Sequence, residues 1–160
     1  MKKNKFALSD FDIYDFKLIG IHSMLEPHKL VYLINSKLNI SFKRMDKDLD
    51  LTSKNMTLSF PAFEYFNLEW QEKSYLISNI IQQRITQKSS MSLFQEDNQM
   101  ISRYVLDDFK RLNYIMKIND ELDIFNTEIV LKRLLSIPHI SMAYLIDLKT
   151  VKHPEHLILE

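Results

Sequence analysis

The sequence contains no cysteine, which excludes disulfide bonds, thiolate nucleophiles and every metal site built on thiolate ligands. It contains a single glycine, Gly20. Because loops that cradle phosphate groups depend on several glycines, P-loop and dinucleotide-binding motifs are excluded as well. These two shortages remove the commonest catalytic and cofactor-binding centres. We therefore expect no bound cofactor, and the missing residues favour a protein that is not an enzyme.

The sequence also lacks an excess of either charge, because 21 basic residues meet 21 acidic ones. A net charge of zero gives no general attraction for nucleic acid or anionic lipid. No apolar stretch approaches the roughly twenty residues of a membrane-spanning helix, and the first residues do not resemble a secretory signal. We therefore expect a cytoplasmic protein that does not contact membranes.

The 160 residues, 46% of them hydrophobic, are enough for one well-filled core. The sequence predicts a single globular domain over residues 1–160. A first helix is predicted to begin near Ser9, because apolar residues then recur every three or four positions. The residues on that face are Phe11, Tyr14, Leu18, Ile21 and Leu25. A second helix is predicted from Pro27 to about Asn39, since proline suits the opening turn of a helix.

A third helix is predicted after Asn126, which would cap it, and Pro138 would end it. Its buried side is marked by Ile129, Val130, Arg133, Leu134 and Leu135. The other segments alternate between apolar and polar residues, which is typical of strands. Those strands are predicted at 40–42, 56–60, 63–70, 114–118, 142–146 and 157–159.

Two segments are less clear. Residues 75–85 fit a strand or a helix, and we favour a strand. The polar residues from Thr86 to Gln99 are typical of a long loop, which Leu93 and Phe94 could pin down. The strand, helix and strand that follow resemble a parallel crossover unit. The predicted fold is α+β, with an antiparallel and partly mixed sheet covered by an N-terminal helix pair and a C-terminal helix.

Aromatic residues are densest around Tyr65 and Trp70, which either fill the core or form a surface for a partner. His22 and His28 flank the predicted junction of the first two helices, where a general base can be imagined. No obvious nucleophile accompanies them. Capping of the helix ends explains both histidines equally well.

Two patterns resemble metal sites. His153 and His156 lie three residues apart with Glu155 between them, a set that could hold a transition metal. Pro154 argues against the helix that would align them, so we favour a solvated loop and predict no metal. The alternating acids Asp46, Asp48 and Asp50 resemble a calcium loop. The glycine and glutamate that such a loop needs are replaced by Leu51 and Thr57.

The segment Ile137-Pro138-His139-Ile140-Ser141-Met142-Ala143-Tyr144 resembles the motif I-P-E-x-x-x-V-Y of a bacterial family of small proteins. Further similar stretches include 8–12, 18–23, 33–35, 47–50 and 157–160. His139 stands where the family has glutamate, and Ala143 where it has valine. The resemblance implies no known activity, and the replaced glutamate is not expected to be a required catalytic group. The motif is also explained structurally, since Pro138 stops a helix and Tyr144 follows on a strand.

The leading functional interpretation is a protein-binding or adaptor module that contacts another protein through aromatic and apolar surface. A small-ligand sensor or an enzyme of unrecognised type is the alternative, with His22, His28 and Tyr144 as the residues to test first. A second alternative is an RNA-associated factor that uses Lys43, Arg44 and Lys47. The sequence leaves the oligomeric state open.

Overall fold

The centre of the molecule is a six-stranded antiparallel sheet, seen in a computed structural model that describes residues 15–53, 56–88 and 96–159. The described strands and helices are β1 (Phe16–Ser23), α1 (Pro27–Leu38), β2 (Lys43–Arg44), β3 (Leu49–Ser53), β4 (Met56–Phe60), β5 (Ala62–Asn67), β6 (Glu72–Ser78), β7 (Ile80–Lys88), β8 (Glu96–Tyr104), β9 (Tyr114–Asn119), α2 (Thr127–Leu135) and β10 (Ile140–Leu145). The strand order in the main sheet is β10-β1-β9-β6-β5-β2, while β3 with β4 and β7 with β8 form separate two-stranded ribbons. Short 3₁₀ helices lie at Asp107–Phe109, Leu148–Thr150 and Pro154–Leu157.

Both faces of the main sheet are covered, because successive side chains on a strand point to opposite faces. On one face Ile19 of β1 belongs to the cluster that contains Ile34 of α1 and Leu134 of α2. On the other face Leu18 belongs to a cluster that contains Leu112, beyond the end of β8. The two helices thus share one face, and a ribbon with irregular segments covers the other.

The predicted N-terminal helix pair is wrong, because residues 16–23 form the strand β1 rather than a helix. Leu18, Ile19 and Ile21 are all fully buried. A strand buried on both faces is a continuous apolar run, and periodicity cannot distinguish such a run from a buried helix. The predicted helix start at Ser9 lies outside the described residues.

The predicted fold class is therefore wrong as a whole. The molecule is mostly sheet, and its described part has only two helices, which lie on the same face. The predicted mixed edge is wrong too, because every strand pair given for the sheet is antiparallel. The crossover itself is confirmed: β9 and β10 both run antiparallel to β1 and so run parallel to each other, with β1 between them.

Both other helices are confirmed. α1 begins at Pro27 and ends at Leu38, where Asn39 adopts a left-handed conformation. α2 is capped by Asn126, whose side chain accepts a hydrogen bond from the backbone amide of Ile129. The strand interpretation of residues 75–85 is confirmed by β6 and β7. Neither α1 nor α2, the helices of the described ranges, has the length and hydrophobicity to cross a membrane.

Three local predictions are wrong. Residues 40–42 precede β2 instead of forming a strand, and residues 157–159 do not form a strand either. The predicted loop over 86–99 is shorter, because β7 continues to Lys88 and β8 begins at Glu96. β7 and β8 form a separate two-stranded ribbon outside the main sheet. Such a ribbon is not covered on both faces, so polar residues suit it. Leu93 and Phe94 lie outside the described residues.

Candidate functional site

An apolar groove of about 170 Å³ lies between the two helices and the helix-covered face of the sheet. We call it the Trp70 groove. Its walls come from the end of α1, the strands β5, β6 and β9, and the beginning and end of α2. The residues that line it are Leu38, Ile40, Phe42, Tyr65, Asn67, Trp70, Ser74, Met116, Ile118, Phe125, Val130 and Arg133.

The turn between β5 and β6 places Trp70 at the groove. Asn67 begins this turn, and its side-chain oxygen accepts hydrogen bonds from the backbone amides of Glu69 (2.8 Å) and Trp70 (3.2 Å). Such a short-range bond to the backbone is the usual reason for asparagine in turns. Gln71 completes the turn with a positive φ of 56°. The Trp70 ring is half-buried and packs edge-to-face on Phe125, with 6.0 Å between the ring centroids.

Asp120 fixes the loop that carries Phe125, a residue of the groove lining. Its carboxylate accepts hydrogen bonds from the backbone amides of Ile124 (2.8 Å) and Phe125 (3.1 Å). Lys17 of β1 lies 2.9 Å from the same carboxylate, whose side chain is only 2% exposed. Burial alone would raise the pKa of Asp120, but the hydrogen bonds from Lys17, Ile124 and Phe125 outweigh it and lower the pKa. Asp120 is therefore charged at neutral pH and fixes the loop that carries Phe125.

Arg133 is the only charged residue among the described residues that line the groove. It is exposed, and its guanidinium forms no hydrogen bond or ion pair with the described part of the chain. Ser74 and Asn67 supply the remaining polar side chains of the lining. An apolar site with one free cation at its mouth can bind a group that is hydrophobic at one end and anionic at the other.

Exposed apolar residues lie next to lining residues along the chain. Leu68, in the turn that carries Trp70, is 77% exposed. Ile124 precedes Phe125 and is 51% exposed, and Ile129 precedes Val130 and is 48% exposed. Clustered exposure of large apolar side chains marks interaction surfaces more often than single exposed ones do.

The structure brings together only two of the five residues chosen from the sequence. Tyr65 and Trp70 both line the groove. His28 lines a separate, open depression beside Tyr32. Tyr144 lines a third cavity on the other side of the sheet.

His22 lies 2.7 Å from a backbone carbonyl, with its Nδ1 facing the oxygen of Arg111. The histidines and Tyr144 therefore line no common cavity among those described. Two acids of the calcium-like pattern have partners of their own, because Asp48 pairs with Arg44 and Asp50 accepts a hydrogen bond from the hydroxyl of Ser59.

A larger and more polar cavity, about 590 Å³, lies between the β3–β4 ribbon and the residues at the end of β8. Arg103, Lys110 and His156 are among its lining residues. The Nε atom of Arg103 is buried without a hydrogen-bond partner in the described part of the chain. Among the described residues of its lining, the charged ones are thus two basic residues, Arg103 and Lys110, and one acidic residue, Asp107.

Sequence reasoning missed Phe125 and Asp120, because their roles depend on a loop between β9 and α2 that no local pattern specifies. Arg133 had a visible signal. It is predicted on the buried side of the third helix, but of that side only Leu134 is buried, while Ile129, Arg133 and Leu135 are exposed. A charged residue among apolar ones on a helix face is unusual unless it faces a cavity or a partner.

Comparisons with known proteins give no match: no family model, curated protein or solved structure corresponds to this chain. The resemblance to the I-P-E-x-x-x-V-Y family therefore stays a prediction.

Proposed function

We propose that the protein is a non-enzymatic binding module that recognises another protein through the Trp70 groove. The groove receives an apolar side chain of the partner, and an acidic residue of the partner pairs with Arg133. The observation that supports this most strongly is an apolar groove whose lining residues have the exposed apolar residues Leu68, Ile124 and Ile129 as neighbours in the chain. A single inserted side chain surrounded by flatter apolar contacts is the usual arrangement of a protein-binding hot spot.

The size of the groove favours a side chain over a metabolite. Sites for small molecules usually have volumes of roughly 300–1,000 Å³, whereas a cavity of roughly 150 Å³ holds a single benzene ring. A volume of about 170 Å³ therefore suits one phenyl ring or one leucine side chain. A small ligand of that size would also leave the surrounding apolar residues exposed to water, and a protein partner would cover them.

Charge complementarity identifies the chemistry of the partner. The last turn of α2 carries Lys132 and Arg133, and Arg133 faces no acid of the described chain. A carboxylate next to the inserted side chain would satisfy this guanidinium with a charge-assisted hydrogen bond. We therefore expect partner segments in which an aromatic residue or leucine lies within a few positions of aspartate or glutamate.

Selection from a random peptide library tests this proposal directly. The purified protein should enrich peptides that combine an apolar residue with a neighbouring acid. Trp70 is the only tryptophan, so binding of a synthetic selected peptide should change the intrinsic fluorescence of the protein. Trp70→Ala should abolish binding in a calorimetric titration. Arg133→Glu should weaken it by roughly tenfold or more, because truncation of a charged contact commonly costs over 1.4 kcal/mol.

Two matched variants serve as controls. Lys132→Glu makes the same charge change one residue away, at a position that does not line the groove. Phe66→Ala removes an exposed aromatic ring from the same strand as Tyr65, also outside the lining. Both should bind the selected peptide as the wild type does. Selected peptides that bind Trp70→Ala with unchanged affinity would contradict the proposal.

A small ligand or a second copy of the chain in the Trp70 groove would give different experimental results. Phenylacetate joins an aromatic ring to a carboxylate, and it would change Trp70 fluorescence with no peptide enriched if the site served a small ligand. A second copy of the chain would appear as a concentration-dependent dimer in light scattering that Trp70→Ala dissociates. Either result would replace the partner proposed here.

A further inference from the structure

Two imidazoles and a carboxylate converge at the 3₁₀ helix formed by Pro154–Leu157. The potential ligand atoms of His153, Glu155 and His156 all lie within 4.8 Å of one another. The two imidazole rings stack with 5.0 Å between centroids and 18° between planes. This is a different part of the molecule from the Trp70 groove.

The 3₁₀ geometry explains why the rings meet. A 3₁₀ helix has three residues per turn, so side chains three positions apart lie one above the other. His153 caps this helix and His156 lies in its last turn, three residues later. The expectation that Pro154 prevents alignment is wrong, because proline occupies the first position of the helix, where its missing amide hydrogen costs nothing.

The neighbours of the two rings leave nitrogen lone pairs free. His156 Nδ1 lies 3.0 Å from the carbonyl oxygen of Val105, which can only accept a hydrogen bond. The neutral imidazole must therefore carry its hydrogen on Nδ1, and its Nε2 lone pair is free for a metal ion. His153 Nδ1 lies 2.8 Å from a carboxylate oxygen of Glu155. Metal-binding histidines usually hold one nitrogen in this way by a carbonyl or carboxylate.

We propose that His153, Glu155 and His156 form a binding site for a divalent transition metal ion, with zinc as the preferred occupant. Imidazole nitrogen and carboxylate oxygen together suit zinc, which accepts either ligand, better than calcium or magnesium, which prefer oxygen alone. His156 binds through Nε2, and the carbonyl of Val105 holds the other side of that ring.

The site offers three protein ligands, and its position leaves room for a fourth from outside. His156 also lines the polar cavity that contains Arg103 and Lys110. Zinc sites with three protein ligands keep an open coordination position, in contrast to closed structural sites with four. The ion would thus lie beside a cavity of about 590 Å³, where a water molecule or an anionic group could complete its coordination.

Calorimetric titration of the purified protein with zinc chloride tests the proposal. One ion should bind per chain, and calcium chloride should give no comparable binding. His153→Ala and His156→Ala should each weaken zinc binding by roughly 100-fold, and Glu155→Gln by roughly tenfold or more. His139→Ala should not change it, because His139 is an exposed histidine that lies outside the cluster. Unchanged zinc affinity in His153→Ala and His156→Ala would overturn the proposal.

Nuclear magnetic resonance of the unmodified protein supplies a second test that needs no folded variant. Without metal, the side-chain nitrogen shifts should show His156 as the Nδ1-protonated form. Zinc should then shift the imidazole signals of His153 and His156 and leave those of His28 and His139 in place. Signals of the pair that do not respond to zinc, or equal shifts at all histidines, would overturn the site.

Discussion

Asp120 links the stability of the protein to the shape of the Trp70 groove. It is one of few buried polar residues described, and its carboxylate fixes the backbone of Ile124 and Phe125. Replacement by asparagine keeps the size but removes the charge that faces Lys17. We expect Asp120→Asn to lower the free energy of unfolding by about 2 kcal/mol or more at pH 7, measured by urea denaturation. It should also change Trp70 fluorescence, because Phe125 contacts the indole.

Asp123→Asn is the matched control, because Asp123 pairs with the same lysine at 2.6 Å but is 84% exposed. Its cost should stay below about 1 kcal/mol, as for other exposed ion pairs. The pKa of Asp120 is lower in the folded protein than in the unfolded chain. The charged carboxylate therefore contributes fully to the free energy of unfolding above the unfolded pKa of about 3.9, and this contribution is lost as the pH falls through the lowered value. The difference in free energy of unfolding between wild type and Asp120→Asn should therefore become smaller as the pH is lowered toward about 3. A gap that is constant with pH would contradict this role.

At the residue scale, the sequence predicts part of the candidate site. The aromatic density around Tyr65 and Trp70 identifies one wall of the groove, whereas Arg133 is predicted only as part of the buried side of the third helix and is in fact exposed. Asp120 and Phe125 are not predictable in the same way. Lys17, which pairs with Asp120, is 103 positions away from it in the sequence, and Trp70, which packs on Phe125, is 55 positions away. No local sequence pattern indicates contacts over such separations.

At the scale of elements, local signals predict the helices that have them. Pro27 and Asn126 begin α1 and α2 because each satisfies or removes free amides at a helix start. β1 has no such signal, since its residues are apolar on both sides. The outcome there is decided by the neighbouring strands β9 and β10, which a single sequence does not reveal.

Gly20 is the position in β1 where the packing is tightest. A Cβ atom placed there would overlap Cδ1 of Leu112 and lie 3.3 Å from Cδ1 of Ile146. Gly20→Val should therefore destabilise the protein by about 1–3 kcal/mol in urea denaturation, despite the preference of valine for strands. If residues 16–23 formed the helix predicted from the sequence, the cost of Gly20→Val would not depend on the side chain of Leu112.

The control is a double-mutant cycle with Leu112→Ala. That change alone leaves a cavity and should cost about 2–5 kcal/mol. In combination with Gly20→Val, the larger side chain fills part of the cavity, so the double variant should be more stable than the sum of the two costs predicts. Additive costs would show that residues 20 and 112 do not pack on each other.

At the scale of the whole molecule, the β7–β8 ribbon is the part least supported by the sheet. Its base is well anchored by the fully buried Asn79, whose side chain accepts a hydrogen bond from the amide of Leu106 and donates to the carbonyls of Phe109 and Leu112. Farther out, a side-chain hydrogen bond to β4 runs from the amide of Gln83 to the sulfur of Met56. A sulfur atom is a weak acceptor, and an isolated two-stranded ribbon is barely stable in water.

Hydrogen exchange should show this difference as two classes of amides. The slowest amides of β1 and β9 should exchange only when the whole protein unfolds, because these strands are paired on both sides within the main sheet. The slowest amides of residues 82–85 should exchange at least about tenfold faster, by local opening of the ribbon. Asn79→Ala should extend the faster class toward Ile80 and Tyr104, since it removes the bonds that anchor the base. Equal protection in ribbon and sheet would show that the ribbon belongs to the same cooperative unit as the core.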